Sequence, residues 1–138
     1  MLIFRFLAIS IFLTSMIQSD PIDMEMFIRC DPSIPFWCAE FRIYEMDLII
    51  DTIIAGKSFC THKRERNFLL TNATLGGDKG TNHYEFNYMI EHNCTSSGST
   101  RCLFDGNNEV SVSVSRRHYV EFHQALFNRG DDNDHCHF

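Results

Sequence analysis

His92 is the first side chain to weigh for chemistry, because an imidazole at a strand end can act as a general base or as a metal ligand. No acid, base or nucleophile is placed beside it by sequence. The expected role is therefore capping of exposed backbone groups, and no catalytic residue is assigned. A second group closes the chain: Asp131, Asp132, Asp134, His135, Cys136 and His137. Imidazole and thiolate suit zinc or copper, and carboxylates suit calcium. Yet His135 and His137 stand two residues apart and face opposite ways on an extended chain. A free tail also loses entropy when it is ordered, and a disulfide at Cys136 would remove its thiolate. The expectation is a solvated polar tail over 131–138, with no metal and no cofactor. Arg129-Gly130-Asp131 has the form of an integrin-type triplet. Recognition would need it at an exposed loop tip, so a linker into the tail is the expected role.

Lys57, His62, Lys63, Arg64 and Arg66 form the only basic cluster in a chain of formal net charge −6. Exposed cations attract anionic lipid headgroups by about 1 kcal/mol each near a charged surface. Lys57, Lys63, Arg64 and Arg66 are thus the candidate surface-binding residues. Glu65 interrupts the cluster, and a solvated strand connection is the ordinary alternative. The acidic balance argues against a nucleic-acid partner.

The elements that hold these groups belong to an exported chain. Met1–Phe4 and the single charge Arg5 precede an apolar run, Phe6–Leu13, and a polar exit at Gln18-Ser19-Asp20-Pro21. That order describes a secretory signal peptide over residues 1–19, cut between Ser15 and Asp20. A transmembrane anchor wants about 20 apolar residues. This run falls short, and no later segment is long enough. About 119 residues remain, the size of one domain.

The six cysteines, at 30, 38, 60, 94, 102 and 136, all follow the signal. An even count in this setting predicts three disulfides rather than thiol chemistry. Proximity favours Cys94 with Cys102, closing a short Ser/Thr/Gly loop worth roughly 2–3 kcal/mol. It also favours Cys30 with Cys38, which bracket Pro32 and Pro35, and leaves Cys60 to Cys136 by default. Two glycosylation sequons, Asn72-Ala73-Thr74 and Asn93-Cys94-Thr95, fit the same compartment. Asn72, in a polar Gly-rich stretch, is the better acceptor; Asn93 adjoins a cysteine.

Nearly every readable element is a strand. Tyr84, Phe86, Tyr88 and Ile90 alternate with Glu85, Asn87, Met89 and Glu91, as a strand with one buried face does. Met24, Met26 and Ile28 alternate similarly, as do Ala39, Phe41 and Ile43, and Val110, Val112 and Val114. Phe68–Thr71 is a short apolar strand. Tyr119–Phe127 fits a strand or a helical turn. Leu48–Ala55 is too apolar for a loop and reads as a strand or a lid over the core. Turn chemistry at Asp31-Pro32, Gly76–Gly80 and Asp105–Asn108 separates these runs. An all-β, disulfide-stapled sandwich follows, over residues 20–130. Most of the thirteen phenylalanines belong to its core or to the signal peptide.

The ordered landmarks resemble the nematode transthyretin-like family. They are a first strand ending in Cys30, the acidic corner Phe41–Asp47 with Asp51 beyond, the Phe68–Leu70 strand, Tyr88–Cys94 with Cys102 close behind, and Val112–Val120. The chain departs from that family's pattern in four places. There is no Gly before Cys30, and none in Lys63–Phe68. Cys38 and Cys136 look additional, and the expected last strand is replaced by Asp131–His137. The resemblance implies a transthyretin (prealbumin)-like β-sandwich that binds or bridges partners in the extracellular space or at cell surfaces, without catalysis. By fold analogy it also implies, as an alternative, a carrier of a small apolar ligand. Hydroxyisourate hydrolases, the family's enzymatic cousins, end in Tyr-Arg-Gly-Ser. Here Asn128-Arg129-Gly130-Asp131 lacks both Tyr and Ser, which argues against that activity.

Overall fold

The computed structural model describes residues 21–46, 50–73, 83–104, 110–113, 117–132 and 136. The proposed signal segment, Leu48, Thr74, the Gly76–Gly80 and Asp105–Asn108 turns, Val114, His135 and His137 lie outside them. Eight strands are seen: β1 (Ile22–Arg29), β2 (Trp37–Glu45), β3 (Thr52–Thr61), β4 (Glu65–Ala73), β5 (His83–His92), β6 (Arg101–Phe104), β7 (Val110–Ser113) and β8 (His118–Ala125). They form two sheets. One has the order β4-β1-β8, with β1 and β8 parallel. The other has the order β3-β2-β5-β6, and β7 pairs with β5 alongside β6. No helix among the described residues is long and apolar enough to cross a membrane.

Period-2 alternation makes the core. Ile22, Met24, Met26 and Ile28 of β1 face Trp37, Ala39, Phe41 and Ile43 of β2, joined by Tyr84, Phe86, Tyr88 and Ile90 of β5 and Val120 and Phe122 of β8, all buried. Each fully buried large apolar side chain stabilises by about 1.5–3 kcal/mol. The polar ends of buried rings find partners. Trp37 donates its indole N–H to the Lys63 carbonyl at 2.9 Å, and Gln124 donates its amide to the Tyr88 hydroxyl. Tyr119–Phe127 resolves as a strand through Ala125, because Val120, Phe122 and Gln124 must face inward together. Of the Leu48–Ala55 run, residues 52–55 open β3.

Strand alternation also overturns the proximity pairing of the cysteines. The disulfides are Cys30–Cys94, Cys38–Cys60 and Cys102–Cys136. Cys30 and Cys94 lie between the sheets, at 4% and 0% exposure. Cys38, between inward Trp37 and Ala39, points to the outer face, where its register partner on β3 is Cys60. Cys102 pairs in register with outward Glu91, one residue from inward Leu103. Pairing Cys30 with Cys38, or Cys94 with Cys102, would join an inward cysteine to one on the outer face of a sheet, which disulfide geometry does not allow.

Asp131, Asp132 and Cys136, the described members of the expected free tail, are docked instead. Asp131 and Cys102 exchange backbone hydrogen bonds at 2.9 and 3.1 Å. Arg101 pairs with Asp132 at 2.8 Å, and the buried Cys136 donates its N–H to Glu91. Gly130 is required there: its φ is +88°, and a Cβ would lie 2.5 Å from the Cys102 carbonyl oxygen. The Arg129-Gly130-Asp131 triplet is therefore pinned along β6 rather than held at a loop tip.

Loop-closure entropy ranks the ties. Cys30–Cys94 spans 64 residues and Cys38–Cys60 spans 22, corresponding to about 4 and about 3 kcal/mol. Cys30→Ala/Cys94→Ala should therefore lower the urea unfolding free energy more than Cys38→Ser/Cys60→Ser. The reverse order would contradict the inter-sheet role.

Candidate functional site

Strand ends β1, β2, β3, β4, β5 and β8 bring one end of the sandwich together with all three disulfides. His92 sits within this end at 2% exposure. Its Nδ1 accepts the Cys94 N–H at 3.2 Å, and its Nε2 contacts the Arg129 carbonyl at 3.1 Å. A carbonyl oxygen cannot donate, so Nε2 carries the proton and the ring is neutral. Burial is the main cause that lowers its pKa to about 4; the Arg129 carbonyl opposes the shift and nearby Arg101 adds to it. The ring joins β5 to the docked C-terminal segment, the backbone-capping role expected of it. Both nitrogens are engaged, leaving neither available to a metal or a substrate proton. Among the described residues no group of three or more His, Cys, Asp or Glu side chains could hold a metal ion.

The basic cluster separates into two sites. Lys63 and Arg64 lie exposed on the β3–β4 turn with His62. His62 donates its Nδ1–H to the Pro35 carbonyl at 3.0 Å, and its ring tilts against Phe36 at 4.8 Å. Phe36 is 48% exposed. The 31–36 loop and the turn are thereby one surface: an uncovered phenyl ring flanked by cations. Asp31 tempers that charge. Its carboxyl is held below its usual range, first by the Ser33 backbone and hydroxyl, and further by Arg64.

Lys57 and Arg66 belong elsewhere. Lys57 is the register partner of inward Phe41, and Arg66 that of inward Ile28. Both positions therefore face the gap between the sheets, where β3 and β4 are the facing edge strands; Arg66 is half-buried there and Lys57 stays exposed at the mouth. The Lys57 ammonium lies 5.5 Å from the Phe68 ring centroid, and the Arg66 guanidinium 5.5 Å from Phe68 and 5.8 Å from Phe59. Phe68 is in ring contact with both Phe41 and Phe59, at centroid distances of 5.1 and 5.0 Å. Beside them runs a groove of about 390 Å³, lined among others by Met24, Ile43, Ala55 and Leu70. Sequence reading missed it, because the two cations look like surface charge until the strand registers turn them inward.

The sequons differ in access. Asn72 is exposed at φ 55°, its backbone N–H bound by Asp23. Asn93 gives its side-chain oxygen to the Cys38 N–H at 2.7 Å, and Thr95 is 2% exposed.

The chain belongs to the family described as Caenorhabditis elegans protein of unknown function (DUF870), which matches residues 25–138. That places it in a nematode family and does not by itself carry the transthyretin-like label. No curated protein and no solved structure matches the chain.

The His92 shift makes stability pH-dependent. The unfolded imidazole, near pKa 6.5, binds a proton that the folded one refuses until about pH 4. Stability is therefore fully present above pH 6.5 and falls as pH drops toward 4, by on the order of 3 kcal/mol. Chemical denaturation between pH 7 and 4 should show this slope, and His92→Gln should lose it. An unchanged slope would reassign the acid sensitivity.

Proposed function

We propose that this is a secreted, transthyretin-like binding or bridging protein that works in the extracellular space at cell surfaces and performs no catalysis. The observation that carries the reading is the Phe36–His62–Lys63–Arg64 surface. It sets an exposed aromatic ring among cations on loops flanked by the Cys30–Cys94 and Cys38–Cys60 disulfides. Such a pairing suits an anionic interface, where a ring sits at headgroup level and cations meet the charge. Three disulfides favour an oxidising compartment, as does the apolar N-terminal run.

Attachment of the secreted protein to phosphatidylserine vesicles should weaken with salt. Lys63→Gln/Arg64→Gln should lower it by about 2 kcal/mol, roughly thirtyfold, at low ionic strength, and Phe36→Ala should lower it further. Lys57→Gln and Arg66→Gln should leave it unchanged, since those cations lie over the Phe68 ring rather than beside Phe36 on the turn. Attachment indifferent to both Phe36 and the turn cations would refute this surface. Export also predicts a glycan at Asn72 and none at Asn93: intact-mass measurement of protein secreted from eukaryotic cells should lose the added mass on Asn72→Gln.

A second reading, carriage of a small apolar ligand, is favoured by the groove between β3 and β4. Its floor is built from Phe41, Phe68 and Leu70.

A further inference from the structure

The groove between the edge strands has a feature that a purely apolar carrier site would not need. Lys57 and Arg66 both stand at its wall, each 5.5 Å from one ring centroid. That holds the two like charges within about one Debye length of each other, ~10 Å at 0.1 M salt. Neither is paired with a carboxylate among the described residues, and the Arg66 Nε is buried without a hydrogen-bond partner. A buried donor left unmade is costly, and two unpaired cations beside apolar surface attract an anion. At about 390 Å³ the groove lies at the low end of the range for ligand pockets, ~300–1,000 Å³. This suits one hydrocarbon chain rather than a two-chain lipid.

We infer that this groove binds a single-chain amphipathic anion, its charged head held by Lys57 and Arg66 and its apolar chain lying on Phe41, Phe68 and Leu70. The inference rests on the carrier reading and adds the charge of the head group to it. A competing role for the same cations exists: inward-pointing charges on edge strands also discourage edge-to-edge pairing between molecules. The two roles predict different behaviour once the charges are removed.

The test is calorimetric titration of the full secreted chain with dodecanoate and with dodecanol, the same chain without charge. Dodecanoate should bind at least tenfold more tightly, and the difference should shrink with added salt. Lys57→Gln should weaken dodecanoate about tenfold and leave dodecanol unaffected, with Lys57→Arg restoring most of the loss. Because Arg66 also packs on two rings, Arg66→Gln is read only after its urea unfolding matches the parent; it should then act as Lys57→Gln does. Equal binding of acid and alcohol would overturn the inference while sparing the carrier reading. Binding of neither would overturn both. Full dodecanoate affinity in Lys57→Gln, accompanied by dimerisation in sedimentation, would assign the cations to guarding the strand edges and remove the site.

Discussion

The Cys30–Cys94 bond is the constraint on which the remaining arrangement depends. Cys30 directly follows β1, the central strand of one sheet, and Cys94 lies two residues beyond β5, an interior strand of the other. Every other strand hangs on one of these two directly or through β2. A tie between the two frames fixes how the sheets face each other at one end, and there the polar backbone must be satisfied without water. His92 does part of that: with one nitrogen accepting and the other donating, it closes the Cys94 N–H and the Arg129 carbonyl together. The C-terminal segment is in turn held by Gly130 against Cys102 and by the Cys102–Cys136 bond. Covalent tie, buried neutral ring and docked segment form one unit, each member meaning little alone.

Much of the architecture was legible because β1, β2 and β5 have one face in the core and one toward solvent, which writes a period of two into the sequence. The exceptions are instructive. Beyond Ala55, β3 gives no such signal: Gly56, Lys57, Ser58 and Cys60 are all exposed to some degree, as an edge strand allows. β6 is too short to show a period. The cysteine pairs were misread for a related reason. Separation along the chain says how close two residues can come, whereas the face of the strand decides whether they meet. Reading Cys38 as flanked by Trp37 and Ala39 would have put it outside the core and separated it from Cys30.

The candidate sites were legible in composition and not in geometry. Five basic residues within ten positions looked like one patch, and they are two. His62, Lys63 and Arg64 fall on the turn between sheets, where side chains have no core to face. Lys57 and Arg66 fall on strands at positions whose alternation directs them inward. A strand edge resolves the conflict between charge and burial, since the long stems of Lys and Arg can lie along aromatic rings while the heads reach the open side of the sandwich.

That resolution has a further consequence for how the fold meets other molecules. A sandwich assembled from open sheets has unpaired backbone along its outer strands, and these edges would template association if left plain. Here β3 and β4, joined by a short turn, face each other across the gap between the sheets. Among the described residues neither cation there is in an ion pair. The same placement that makes pairing with another strand costly leaves positive charge beside an apolar floor. On the proposed reading, an edge protected in this way is selective: it resists flat backbone, which brings no charge, and favours a slender molecule whose negative end can reach Lys57 and Arg66 while its remainder covers Phe68.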